Sequence, residues 1–214
     1  MDSQEIQVGP VSVSLIAQDD RIVSHIRAGH GFEPQSLAAW ADMCSSGGTV
    51  LDIGAYSGLF SIAAAKMGCQ ALAFEPMPLN AARTRANAKR NGTDISLFEG
   101  CVSDRAGPID LTFNPNVVGM TAGASLVRHK GVRKSVASVT IDGLGLSQVT
   151  AIKIDVERAE GFVLACAGET LKRCRPVMLV EALGPAERAT VEAAIPGYRV
   201  EAVLDVRNLL MVPC

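Results

Sequence analysis

The feature that most constrains this chain is the spacing of its short apolar runs. TVLDI (49–53), QALAF (70–74), ISLF (95–98), AIKID (151–155) and VMLVE (177–181) recur with helical stretches at 59–67, 78–91, 159–172 and 186–195 between them. As a set they lack the polar alternation of a strand with one wet face, so they predict strands buried on both sides. Strands of that kind, each followed by a helix, build an α/β fold with a parallel sheet covered on both faces. Two closing strands, 198–204 and 208–212, sit close together around VRN and predict an antiparallel hairpin at the end of the sheet.

Upstream, VSVSLIA (11–17) alternates as a strand does, and DDRIVSHIRAG and EPQSLAAWADMC read as helices, the second ending near Gly47 and Gly48. This divides the chain into residues 1–46, a strand and helices packed on the core, and residues 47–214, the core itself. Between 108 and 142 the periodicity loosens. The segment carries a basic cluster (Arg128, His129, Lys130, Arg133, Lys134) and predicts a loop insertion near 113–135, either a binding loop or a solvated charged one.

Composition removes several classes of function. Lys plus Arg number 20 and Asp plus Glu 22, so no global basic footprint favours nucleic acid. The six cysteines include no C-x-x-C pair, which argues against structural zinc and against a disulfide framework. The opening MDSQEIQVGP carries no basic residue, and no apolar run reaches the length of a membrane span. The expectation is a cytoplasmic protein without a membrane partner. Oligomeric state is not legible.

Three strand ends carry chemistry. VLDIGAYSGLF places Asp52, Gly54 and Gly58 between a buried strand and a helix, a tight turn that lets backbone approach a ligand. A dinucleotide fingerprint is not matched, because Tyr56 and Leu59 stand where its second and third glycines belong, which weakens a hydride-transfer reading. Glu75, ending the next strand, is placed to accept hydrogen bonds from both hydroxyls of a ribose. Backbone amides near Cys101 and Val102, after the third strand, border the place of an adenine.

With these residues in view, the chain resembles the class I S-adenosylmethionine-dependent methyltransferases, and within them the FkbM family. The likeness runs from about Asp20 to about Glu181 and rests on VLDIGAYSGLFSIAAAKMG, FEPMPLNAARTRANAKRNG, CVSDRAG, SVTIDGL and IKIDVERAE, the last close to the hallmark K-I-D-V-E-G-A-E. The resemblance implies a Rossmann-like class I methyltransferase fold: a seven-stranded, mostly parallel sheet with an antiparallel last strand and helices on both faces. It implies S-adenosylmethionine as cofactor and methylation of a small-molecule hydroxyl, natural-product or sugar-like. It also implies that Asp52, Gly54, Tyr56 and Gly58 form the cofactor turn, and that Glu75 holds the ribose with Pro76 and Met77 beside the adenine. Cys101, Val102 and Ser103 would close the adenine edge, and Asp155 would face the transferable methyl. Arg158 replaces the hallmark glycine, and VEALG departs from the family's downstream strand.

The charge that follows AIKI then has a use. Carboxylates favour a cationic sulfonium, and a hydroxyl acceptor needs a proton acceptor. Asp155 is the first candidate base, Glu157 the second and His129 the third. Asp155 and Glu181, ending adjacent strands, are weak candidates for sharing a divalent cation. Glu160 suits the start of the following helix, with Lys153 pairing Glu157 or Glu160. Two other readings stand beside the enzyme: a cofactor-binding module without turnover, and, last, a nucleic-acid methyltransferase gripping phosphate through 128–134.

Overall fold

The computed structural model describes residues 2–114, 116, 123–127 and 130–214. An N-terminal hairpin, β1 (Ser3–Val8) and β2 (Val11–Ile16), precedes α1 (Arg21–Arg27) and α2 (Pro34–Cys44). The core follows as β3 (Thr49–Ile53), α3 (Leu59–Lys66), β4 (Gln70–Phe74), α4 (Pro78–Arg90), β5 (Ser96–Phe98), β6 (Gly100–Val102), β7 (Gly107–Phe113), β8 (Val132–Val139) and β9 (Ala151–Ile154). It ends with α5 (Glu160–Leu164), α6 (Gly168–Cys174), β10 (Val177–Glu181), α7 (Pro185–Ala194), β11 (Tyr198–Leu204) and β12 (Asn208–Pro213).

The main sheet has seven strands in the order β11-β12-β10-β9-β3-β4-β5. Pairing from β10 through β5 is parallel, and β12 is antiparallel to both its neighbours. The expected closing hairpin is present, with its second strand inserted between β10 and β11. The two faces separate by strand parity, as a period of two requires. Val50, Ala151 and Leu179 face one apolar cluster with α2, α3 and the N-terminal hairpin, whereas Leu51, Ile53, Ile152, Ile154, Met178 and Val180 face the cluster around α5, α6 and α7. Ile152 and Ile154 therefore point to one layer, and Lys153 to the other.

Three features differ from the sequence expectation. Residues 107–113 and 132–139 are strands, not loop: β7 and β8 pair antiparallel, and β6 joins β8 to complete a three-stranded sheet. Its charged face hid the pattern, because Asp110, Arg133 and Ser135 are exposed while Leu111 and Val136 are buried. β6 can leave the main sheet directly after β5 because position 100 is glycine; a Cβ there would lie 2.5 Å from the Ala137 carbonyl oxygen. The predicted helix 159–172 is two helices. Asp142 starts the second, accepting from the backbone amides of Glu169 (3.1 Å) and Thr170 (2.8 Å), a cap from a distant segment. Finally, β1 was not anticipated, although Ile6 and Val8 alternate before a Gly9–Pro10 turn. No helix among the described residues is long and apolar enough to cross a membrane.

Candidate functional site

The carboxyl ends of β3, β4 and β9 converge on one cavity of about 230 Å³. Open parallel sheets bind ligands at this edge, where loops diverge and helix N-termini point inward. The turn after β3 is fixed from two sides. The amides of Gly54 and Ala55 both donate to the Phe74 carbonyl at the end of β4, each at 3.0 Å. Gly54 has φ 88°, and a Cβ on it would stand 1.9 Å from the Asp155 carbonyl oxygen. Only glycine lets the exits of β3 and β9 touch.

Glu75 is buried at the end of β4 and lines the cavity. Its Oε2 accepts from the Tyr56 amide at 2.9 Å and its Oε1 from the Met77 amide at 2.8 Å. The Asn80 side chain also bonds this carboxylate; with about four acceptor sites on an ionised carboxylate, capacity remains for a ligand. Burial pushes its pKa up to about 8, against the lowering effect of those amides. Tyr56 adopts φ 52°, and its hydroxyl accepts from the Arg21 amide at 3.1 Å, which roofs the turn with the start of α1.

At the exit of β9, Lys153 is buried with its side chain 5% exposed. Its ammonium lies 3.1 Å from Asp155 Oδ2 and 4.6 Å from the centre of the Phe60 ring. Pairing with Asp155, rather than with Glu157 or Glu160, follows from strand geometry: residues two apart share a face. Burial alone would depress the Lys153 pKa, but Asp155, Asp52 and Glu33 together hold it above the usual value. Glu160 begins α5, and its Oε1 accepts from the amides of Val156 (3.4 Å) and Arg158 (3.1 Å) in the turn before that helix. Glu157 and Arg158 both have positive φ, 56° and 76°. Arg158 thus keeps the left-handed turn that the hallmark glycine would adopt freely, and its guanidinium lies 3.7 Å from Glu187 on α7.

Gly54, Tyr56, Glu75, Pro76, Met77, Cys101, Val102, Asp155 and Glu157 all line the cavity. Asp52, Gly58 and Ser103 lie behind its wall. Asp52 is buried beneath the turn, its Oδ2 held by the Ser61 amide at 2.9 Å and by the Ser61 hydroxyl. Gly58 caps α3 with φ 85°. Ser103 is buried, and its amide donates to the Val139 carbonyl at 3.0 Å. Glu181 sits behind the wall as well, 3.5 Å from Arg207 Nε; burial and Asp155 raise its pKa to about 9. Asp155 is paired with Lys153 and Glu181 with Arg207, and the described residues contain no group of three metal-ligating side chains. His129 lies outside the described residues.

Sequence reasoning missed the wall contributed by α1 and the segment before α2. Arg21, Ile22, His25, Phe32 and Glu33 line the cavity, as does Arg207 from the turn between β11 and β12. One signal was available: Glu33 precedes Pro34, the first residue of α2, and glutamate is a poor choice for a helix cap.

Residues 52–210 match the family described as Methyltransferase FkbM domain. The 31-O-demethyl-FK506 methyltransferase FkbM of Streptomyces tacrolimicus is 28% identical over 187 residues, covering 67% of this chain and 71% of that protein. The ribosomal protein L11 methyltransferase of Thermus thermophilus is 40% identical over 78 residues, covering 36% of this chain and 31% of its own length. Among solved structures, the methyltransferase FkbM from Methylobacillus flagellatus KT superposes with a TM-score of 0.55 at 14% identity, covering 78% of this chain and 44% of that one. The chain thus spans less than half the length of two of these three proteins.

Proposed function

Because the chain belongs to the FkbM methyltransferase domain family, we propose that it is an S-adenosylmethionine-dependent methyltransferase acting on a hydroxyl oxygen of a small-molecule acceptor, natural-product or sugar-like. The observation that carries this reading is the convergence of Gly54, Glu75 and Asp155, from three adjacent strands, on one cavity. The Streptomyces relative, whose name specifies an O-demethyl substrate, supports oxygen as the acceptor atom.

The residues fit the cofactor. Gly54 lets the β3 turn close onto the exit of β9 beside the cavity, and Glu75 offers a buried carboxylate with acceptor capacity to a ribose hydroxyl. Met77, Cys101 and Val102 give apolar surface for a purine. Asp155 provides negative charge on the side where the methionine portion would lie. S-adenosylmethionine, when bound, supplies an electrophilic methyl group on a cationic sulfur. The chain's own contribution is to hold acceptor and donor in line and to exclude water, from which most of the acceleration would come. Asp155 also favours the cationic ground state, so its main value is in binding and alignment.

Calorimetry with S-adenosylhomocysteine tests the cofactor assignment: saturable binding supports it, and no heat at millimolar ligand removes it. Methyl transfer from labelled S-adenosylmethionine to a panel of hydroxyl and amine acceptors tests the finer claim, which transfer to amines alone would overturn.

A further inference from the structure

We infer that Glu33 is a catalytic residue of this site, the carboxylate that receives the acceptor's proton, and that the N-terminal segment supplies it from outside the matched family region. The inference rests on the methyltransferase reading above and adds a proton-bearing acceptor docked between Asp155 and Glu33.

Glu33 occupies the cap position of α2, directly before Pro34, with φ 41°. L side chains rarely adopt that conformation, and a capping residue in it would normally repay the strain by bonding the helix amides. Glu33 makes no such bond. Asp205, in the turn between β11 and β12, caps α2 instead, its Oδ2 accepting from the Ser36 amide at 2.7 Å and its Oδ1 from the Gln35 amide at 3.3 Å. The Glu33 carboxylate is thereby released from the helix and turned into the cavity, its side chain 9% exposed. Its contact there is with Arg207 Nη2, at a long 3.5 Å.

The charged groups that act on Glu33 come from two elements. Lys153 and Asp155 belong to β9 and its exit, and Arg207 and Asp205 to the β11–β12 turn. Burial raises the Glu33 pKa first of all; Lys153 and Arg207 oppose that rise, while Asp155 and Asp205 add to it. A carboxylate held above its ordinary range is a stronger proton acceptor than an ordinary one. Asp155, the first candidate from sequence, already holds the Lys153 ammonium on Oδ2. In the transfer, the acceptor O–H proton passes to Glu33 while the O–CH3 bond forms. The S–CH3 bond breaks, and its electron pair stays on sulfur, leaving a neutral thioether.

The test is carbon NMR of protein labelled at the glutamate carboxyl, with Glu33→Gln identifying the signal. In the free protein the Glu33 midpoint should lie above the ordinary glutamate range, and Arg207→Gln should raise it further. It should sit about one pH unit lower with S-adenosylmethionine bound than with S-adenosylhomocysteine, the effect of one positive charge several ångströms away. Glu33→Gln should leave S-adenosylhomocysteine affinity within about twofold, since the residue serves the acceptor rather than the cofactor. Equal midpoints in the two complexes, or a tenfold loss of affinity in Glu33→Gln, would overturn the inference while leaving the methyltransferase reading intact. Absence of heat with either ligand would remove both.

Discussion

Lys153→Met removes the cation at the centre of the β3–β9 exit. Lys153 is 5% exposed, 3.1 Å from Asp155 Oδ2, and faces Asp52 across the parallel register. Asp52 is buried, and its Oδ1 has no hydrogen-bond partner among the described residues. Breaking a buried pair by deleting one member costs about 3–5 kcal/mol, because the other charge stays desolvated. For a chain of this size each kcal/mol moves Tm by about 2–4 °C, so a fall of about 6–20 °C is expected. The loss carries a pH signature. Burial already raises the Asp52 pKa in the folded state, with Lys153 opposing it, and the substitution raises it further. An acid whose folded pKa exceeds its unfolded value loses stability as pH climbs from the unfolded pKa to the folded one, and the deficit persists above that. The gap between variant and parent should therefore be smallest near pH 4 and widest above neutrality. Lys153→Met with Asp52→Asn should recover more than half of it. Thermal melts followed by circular dichroism from pH 4 to 8 read both effects. A fall under about 1 kcal/mol, or a gap independent of pH, would refute the buried-pair account.

Gly54→Ala should cost more than the about 1–2 kcal/mol of a left-handed L residue, because its Cβ meets backbone at 1.9 Å; unchanged Tm would contradict the close crossing. Glu75→Gln turns an amide donor toward one of the two backbone amides now bound to Glu75, leaving a donor unsatisfied at about 1–3 kcal/mol, and calorimetry should show at least about tenfold weaker S-adenosylhomocysteine binding. Burial raises Glu75 to about 8, Glu160 to about 7 and Glu181 to about 9, so the ligand-free protein should lose stability as pH rises from about 4.5 through these values, giving a higher Tm at pH 6 than at pH 9. Arg158→Gly should raise Tm by about 2–4 °C, since relief at φ 76° is worth about 1 kcal/mol and the lost ion pair with Glu187 is 61% exposed on the arginine side.

The sheet and its edge were legible because their signals are local. Apolar runs at 49–53, 151–155 and 177–181 had to be buried on both faces, and Gly54 and Glu75 follow their strands directly. What escaped was determined by distant partners. β7 and β8 read as loop because each carries an exposed charged face, and their pairing joins residues up to about thirty positions apart. The break between α5 and α6 depends on Asp142, and the freedom of Glu33 on Asp205, 172 positions later in the chain. Such long-range capping leaves no period to read. The Lys153–Asp155 pair, by contrast, follows from strand parity alone, since residues two apart along a strand share a face.

The most direct measurement is a crystal structure of the protein grown with S-adenosylhomocysteine. The ribose hydroxyls should lie within hydrogen-bond distance of the Glu75 carboxylate, the purine against Met77 and Val102, and the sulfur open toward Asp155 and Glu33. A ligand bound elsewhere, or with its sulfur turned away from the β9 exit, would contradict this placement.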